Sequence, residues 1–142
     1  MQWNNKYIYP KSTRSIFQGS RHYSVNQENL PSVTTILKAT ESEEKKAKLE
    51  EWKKRVGFKQ AEVISREATS RGSSMHDYLE KFLLGKLNMD LLGDNTREKM
   101  MADQIIENGL RDKLSEIWGC EATLYYPGKY AGAADCIGIY EN

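Results

Sequence analysis

Two strand-type segments on either side of a short turn constrain the fold of this chain most strongly. Residues 120–126 and 130–140 are rich in tyrosine, small and apolar residues, and Pro127-Gly128-Lys129 separates them. This pattern predicts a β-hairpin. One acid, Asp135, interrupts the second strand, where aspartate is unfavourable and a carboxylate needs a partner. The hairpin therefore makes Asp135 a candidate functional residue.

The register of the hairpin decides whether Asp135 has an acidic neighbour. A three-residue loop centred on Gly128 places Glu121 directly opposite Asp135. Opposed Cβ atoms are about 4.5–5.5 Å apart, where like charges repel, and a divalent cation between them would turn the repulsion into attraction. The same register pairs Cys120 with Cys136 on the other face as free thiols. With a two-residue loop the two acids do not meet.

Composition excludes several classes of protein. The net charge is +1, from 21 Lys and Arg against 20 Asp and Glu, so overall charge neither favours nor opposes a nucleic-acid partner. The apolar runs are too short to span a membrane, and no signal peptide is recognisable. Two cysteines are too few for a disulfide framework. We expect one α/β domain in a reducing, cytoplasmic compartment.

Residues 1–27 have an uneven charge, with cations and aromatic residues interleaved and no acid. The cations are Lys6, Lys11, Arg14 and Arg21, and the aromatic residues are Trp3, Tyr7, Tyr9, Phe17 and Tyr23. This combination is typical of proteins that bind single-stranded nucleic acid. A short β-hairpin with ordinary aromatic packing explains the same residues and is the interpretation we favour.

Apolar periodicity and capping residues predict the helices. A short helix should follow Pro31 with Ser32 as its N-cap, and Ser32, Thr34 and Thr35 either cap it or receive a phosphate. The further predictions are a charged surface helix over 42–56, a helix over 58–84 with a break near Arg71-Gly72-Ser73, a loop over 86–95, and a helix over 96–118 that Gly119 ends.

His76 is a candidate ligand on the second of these long helices. The apolar pattern places it at the buried edge, and Glu80 follows one turn later on the same face. A histidine in that position is more often a core residue than a ligand, so both interpretations remain open.

These segments together resemble the PD-(D/E)XK nuclease superfamily, and within it the RecB-like exonuclease branch. The residues that carry the resemblance are Arg71-Gly-Ser-Ser-Met-His76-Asp-Tyr-Leu-Glu80, then Glu121, then Tyr130-Ala-Gly-Ala-Ala-Asp135. Pro31-Ser-Val-Thr-Thr-Ile-Leu37 is similar to the opening helix of the mitochondrial genome maintenance exonuclease family and related phage exonucleases. The resemblance spans roughly residues 21–140.

The resemblance implies a restriction-endonuclease-like core, with helices packed on a central mixed sheet, and a metal-dependent DNA exonuclease of phage recombination or repair. His76 and Asp135 would hold Mg²⁺ or Mn²⁺, with Asp135 and Glu121 as catalytic carboxylates and Glu80 nearby. DNA, including single-stranded ends, would contact a set of hydroxyl and cationic residues. That set is Ser32, Thr34, Thr35, Arg71 and Ser73.

One part of the family signature, an acid–x–lysine pair on the next strand, does not follow Asp135. We therefore expect residues 1–142 to form a C-terminally incomplete domain that is inactive alone and dimerises through the exposed edge of the 130–140 strand. The expected location is the cytoplasm of a bacterial or phage-infected cell, without membrane attachment. Two alternatives remain, a non-catalytic single-stranded nucleic-acid-binding module and a helical protein-interaction domain.

Overall fold

A computed structural model of the chain describes residues 1–86 and 96–141. These ranges form a mixed α/β structure with two small sheets and four α-helices. The strands are β1 (Gln2–Trp3), β2 (Ser12–Phe17), β3 (Ser20–Val25), β4 (Glu28–Pro31), β5 (Leu114–Tyr126) and β6 (Tyr130–Tyr140), and the helices are α1 (Val33–Ala39), α2 (Glu43–Val56), α3 (Phe58–Leu83) and α4 (Arg97–Ile105). The predicted loop over 86–95 lies almost wholly outside the described residues.

The basic N-terminal segment forms an antiparallel meander of β2, β3 and β4. Both of its turns have two central residues with positive φ, 51° and 77° at Gln18-Gly19 and 47° and 67° at Asn26-Gln27. Turns of this kind match the twist of paired strands and are the favoured connection in hairpins. The hairpin prediction for this segment is confirmed.

The second sheet is mixed, with β5 between parallel β1 and antiparallel β6. The hairpin turns over Pro127-Gly128-Lys129, and Gly128 takes a φ of 73° that favours glycine. Cys120 pairs with Cys136 and Ala122 pairs with Ala134. The register predicted from a loop centred on Gly128 is therefore confirmed.

The predicted N-cap of α1 is confirmed, and α2 has an N-cap of the same kind. The Ser32 hydroxyl accepts a hydrogen bond from the Thr35 N–H at 3.0 Å, and the Ser42 hydroxyl accepts one from the Lys45 N–H at 3.3 Å. α2 has no buried residue and carries ion pairs along its surface, as the sequence predicted. Each satisfied cap fixes where a helix begins.

α3 runs without interruption through Arg71-Gly72-Ser73, so the predicted break is wrong. A single glycine costs a helix about 1 kcal/mol. The helix nevertheless continues over 26 residues and contacts both α2 and α4.

The prediction of one helix over 96–118 is correct for its first part and wrong for the remainder. α4 ends at Ile105, a π-helical turn covers Ile106–Leu110, and β5 begins at Leu114, so Gly119 lies within a strand. The pairing of β5 with β6 shifts register between residues 114 and 116 and again between 117 and 119. Such bulges disturb the alternation of a strand, so the buried Leu114 and Ile117 recur at a spacing that imitates a helix.

Two small apolar clusters hold these elements together. Val25 and Leu30 of the meander pack on Ala131 of β6, and Leu83 at the end of α3 packs on Leu114 and Ile117 of β5. The hairpin therefore contacts the meander through one cluster and α3 through the other. None of the helices in the described ranges combines the length and apolar composition needed to span a bilayer.

Candidate metal centre

His76 and Asp135 meet where α3 crosses the hairpin. The His76 Nδ1 atom lies 3.7 Å from the Asp135 Oδ2 atom, and the two side chains are 53% and 66% exposed. A histidine with this exposure is not a core residue, so the predicted place at a buried edge is wrong. Two ligands at right angles around a cation are about 3 Å apart when each bond is about 2.1 Å. The observed spacing requires only a small closure to reach that value.

Glu121 lies opposite Asp135, because the pairs on either side of it join β5 to β6 in continuous register. Its backbone has a φ of 50°, in the left-handed region. For a residue other than glycine this conformation costs roughly 1–2 kcal/mol. Non-glycine residues in such conformations cluster at functional sites, where the surrounding structure holds them.

Neighbouring charges act on the Glu121 carboxyl group. Displacement of water by surrounding protein atoms raises the pKa of Glu121 above its ordinary value, although part of the residue remains exposed. The negative charges of Asp135 and Glu80 raise this pKa further, as does a side-chain hydrogen bond with Asp135. The carboxyl groups of Glu121 and Asp135, which the sequence placed opposite each other, therefore influence each other electrostatically.

Glu80 is half-buried and lies one helical turn after His76. Its negative charge acts on groups of the neighbouring hairpin. It helps to raise the pKa of Glu121 and that of Cys120. Four acidic or basic side chains, His76, Glu80, Glu121 and Asp135, thus lie within one electrostatic neighbourhood formed by α3 and the hairpin.

The two cysteines are free thiols on paired positions of the hairpin, as predicted. Burial raises the pKa of the Cys120 thiol to about 11, and the nearby carboxylates contribute to that rise. Cys120 packs on the cluster that contains Leu83 and Ile117. At neutral pH Cys120 is therefore a protonated, structural thiol.

The donor chemistry at this site suits a hard or borderline cation. An imidazole nitrogen and carboxylate oxygens are ligands for Mg²⁺ or Mn²⁺, and crowded carboxylates are relieved by a positive charge. In the part of the chain that the structure describes, no three His, Cys, Asp or Glu side chains are arranged as a group that could hold a metal ion. The His76 and Asp135 side chains lie 3.7 Å apart, and Glu121, which is opposite Asp135 in the hairpin, is the candidate for a third ligand.

The hydroxyl residues predicted to contact nucleic acid occupy the start of α1. Ser32 is 2% exposed, and its hydroxyl is engaged with the Thr34 and Thr35 hydroxyls at 2.8 and 2.9 Å. Arg71 is half-buried and Ser73 is exposed, both on α3 within five residues before His76. Ser32 thus performs the capping role, and Arg71 and Ser73 share the helix of the metal centre.

A groove of tyrosines between the meander and the hairpin was not predicted. It is lined by tyrosines from β3, β5 and β6 and reaches Ala134, the residue before Asp135. The sequence contains one signal for this groove, the tyrosines that flank the turn at Pro127-Gly128-Lys129. Tyr125 and Tyr126 precede the turn, and Tyr130 follows it.

Comparison of the chain with protein-family models, with curated proteins and with solved structures found no match.

Proposed function

We propose that this chain forms the metal-binding part of a metal-dependent DNA exonuclease of phage recombination or repair. Within this proposal the mixed sheet and α3 correspond to the restriction-endonuclease-like core of the PD-(D/E)XK superfamily. The single observation that supports it is the convergence of His76, Asp135 and Glu121 from a helix and two paired strands. Nothing in the packing of the hairpin requires acids at these positions.

The chemistry of phosphodiester hydrolysis explains why such residues would converge. A bound Mg²⁺ or Mn²⁺ lowers the pKa of a coordinated water and offsets charge on the phosphoryl oxygens. His76 would bind it through an imidazole nitrogen, and Asp135 and Glu121 would bind it through carboxylate oxygens. The exposure of His76 and Asp135 leaves this position open to a polymeric substrate.

Hydrolysis in this superfamily also uses a second carboxylate and a lysine on the strand after Asp135. Residues 136–141 contain no acid–x–lysine pair. None of the strands that the structure describes carries a lysine, so we assign cation binding, and not hydrolysis, to these residues. Removal of such groups typically lowers a rate by several orders of magnitude.

The alternative is a non-catalytic single-stranded nucleic-acid-binding module that depends on the N-terminal cations and aromatic rings. Part of this set is used within the molecule. The Lys6 ammonium lies 3.8 Å from the centroid of the Trp118 ring, and Tyr7 contacts the same ring edge-on at 5.5 Å. These contacts support the packing interpretation of Lys6 and Tyr7.

Mn²⁺ titration by calorimetry tests the metal centre directly. His76→Ala should weaken Mn²⁺ binding at least tenfold, because one of few ligands is lost, and should change the melting temperature little, because the side chain is half-exposed. The chain contains one other histidine, His22, whose ring contacts Phe17 in the meander. His22→Ala is therefore the matched control, and an equal effect of both variants would refute the metal centre.

A nuclease assay on linear DNA with Mg²⁺ or Mn²⁺ tests the assignment of catalysis. We expect residues 1–142 to leave the DNA intact, because none of the described strands carries an acid–x–lysine pair. Digestion that disappears in Asp135→Ala would contradict this assignment and would show that the site is completed from elsewhere, for example by a second copy.

A further inference from the structure

A groove between the meander and the hairpin has the composition of a surface for unpaired nucleobases. It encloses about 540 Å³, within the range of about 300–1,000 Å³ that is usual for ligand pockets. Tyrosines from three strands line it: Tyr23, Tyr125, Tyr126 and Tyr130. Leu124 and the small residues of β6 complete its surface.

The four tyrosines differ in exposure: two are packed against the protein, and two are exposed to solvent. Tyr23 and Tyr125 pack against the cluster of Val25, Leu30 and Ala131, and the Tyr125 hydroxyl accepts a hydrogen bond from the Asn26 amide. Tyr126 and Tyr130 are 56% and 42% exposed, and their rings stack with centroids 5.9 Å apart and planes 28° apart. Exposed rings held in this way offer flat faces on which bases can stack.

A second cavity adjoins the groove and has the chemistry of a phosphate site. Its walls include Arg21, Lys38 and the hydroxyl residues Ser20, Thr34 and Thr35, and it shares Arg21 and Thr34 with the groove. Among the described residues that line either cavity, none is acidic. The two cavities together therefore combine aromatic faces with uncompensated positive charge.

The fold fixes the position of Arg21 between the two cavities. Its backbone carbonyl accepts hydrogen bonds from the Ser32 N–H at 3.0 Å and from the Thr35 hydroxyl at 2.8 Å. The ion pairs found among the described residues involve neither Arg21 nor Lys38. Both cations are thus available to an anion from outside the molecule.

We propose that these two cavities bind single-stranded nucleic acid, with an unpaired base against Tyr126 and Tyr130 and a phosphate between Arg21 and Lys38. This inference rests on the proposed function, because an exonuclease must hold a strand of nucleic acid, and the groove is formed in part by β6, the strand that carries Asp135. A paired base has both faces covered by its neighbours in the stack. The tyrosine faces therefore select single strands over duplex.

Fluorescence anisotropy with a labelled oligonucleotide in excess EDTA tests the groove without the metal. We expect the single strand to bind at least tenfold more tightly than the corresponding duplex. Tyr130→Leu should weaken binding roughly tenfold, because stacking on aromatic side chains contributes strongly for each base. Tyr140→Leu is the matched control, since Tyr140 is exposed at the other end of β6.

Salt dependence tests the phosphate site separately. Arg21→Ala should reduce the slope of log K against log salt concentration by about 0.7, the value for one phosphate contact of a single strand. Lys54→Ala, an exposed cation on α2, should leave the slope unchanged.

Equal affinity for single strand and duplex would refute the proposal that the groove binds single-stranded nucleic acid. An equal effect of Tyr130→Leu and Tyr140→Leu would refute it as well. Because EDTA removes divalent cations, these outcomes are independent of the Mn²⁺ titration. Oligonucleotide binding without Mn²⁺ binding would support the proposed nucleic-acid groove and refute the proposed metal site. Mn²⁺ binding without oligonucleotide binding would support the metal site and refute the groove proposal.

Discussion

At the scale of single residues, the candidate metal centre contains both exposed side chains and closely spaced acids. His76 and Asp135 remain accessible, whereas Glu121 is held on a left-handed backbone between other acids. The left-handed conformation stores free energy that the hairpin must compensate. A cation would remove the repulsion between carboxylates without moving the backbone.

Cys120 should be nearly inert towards alkylation. Burial raises its pKa to about 11, with contributions from the charges of Glu80, Glu121 and Asp135, and a thiol with that pKa is almost fully protonated at pH 8. In a Cys136→Ser variant, iodoacetamide should label Cys120 at least tenfold more slowly than free cysteine, as followed by mass spectrometry. Labelling at the rate of free cysteine would show that Cys120 is not buried as described.

The pairing of Glu121 with Asp135 could be predicted from sequence because the register of a hairpin depends on its loop length. The turn residues Pro127-Gly128-Lys129 indicate that length. Sequence reasoning placed Asp135 opposite Glu121 through the symmetry about Gly128, and the register confirms this. It did not reach the φ of Glu121, because glutamate carries no local signal for a left-handed backbone. It misplaced His76 at a buried edge, because periodicity identifies a helix face and not what covers that face.

At the scale of elements, α3 is the uninterrupted helix that brings His76 to the hairpin. Gly72 lies in its interior, and a Cβ added there would meet no atom within 4 Å. Gly57, which precedes the helix, has equally open surroundings but a φ of 90°. The two glycines therefore differ in backbone conformation and not in available space.

Gly72→Ala should raise the free energy of unfolding by about 0.5–1 kcal/mol, because alanine is a better helix residue. Gly57→Ala should lower it, because alanine is strained at positive φ. Urea unfolding followed by circular dichroism measures both changes. If Gly72→Ala were destabilising, α3 would have a break at Gly72, as the sequence suggested.

The start of a helix was predictable from sequence where a capping residue marks it. The start of β5 was not predictable, because β-bulges disturb the alternation of buried and exposed residues. Ser32, Ser42 and Thr96 each accept a hydrogen bond from the backbone N–H three residues later, and each correctly marks a helix start. The change from helix to strand before Leu114 has no comparable marker. Its apolar spacing fits both structures, and only the pairing with β6 decides between them.

At the scale of the whole molecule, contacts distant in sequence join the first strand to the last hairpin. Glu116 of β5 accepts hydrogen bonds from the Trp118 indole at 2.7 Å and from the Asn4 amide at 3.2 Å. Both bonds favour the ionised carboxylate, so they hold the pKa of Glu116 below its ordinary value. Glu116 thereby connects the N-terminal segment to the mixed sheet.

The pH dependence of this connection has a definite sign. Because the pKa of Glu116 is lowered by folding, its contribution is present above the ordinary pKa of about 4.3 and is lost as pH falls through the folded value. Glu116→Gln keeps an acceptor but not the charge. It should therefore be less stable than the original chain at pH 7, with a difference that shrinks below about pH 4.

Urea unfolding followed by tryptophan fluorescence at both pH values measures this difference. Glu44→Gln, which alters an exposed ion pair on α2, is the control and should have little effect at either pH. A deficit in Glu116→Gln that persists unchanged in acid would contradict the assignment to ionisation.

The parallel pairing of β1 with β5 imposes an order on synthesis. Trp3 and Ile117 are neighbours in the sheet but are 114 positions apart in the chain, and the Trp3 indole donates to the Leu83 carbonyl at 2.9 Å. At a ribosomal rate of about 5–20 residues per second, Trp3 is synthesised roughly 6–23 seconds before Ile117. The meander of β2, β3 and β4 can close during that interval, while Trp3 remains exposed to chaperones and proteases until the hairpin arrives.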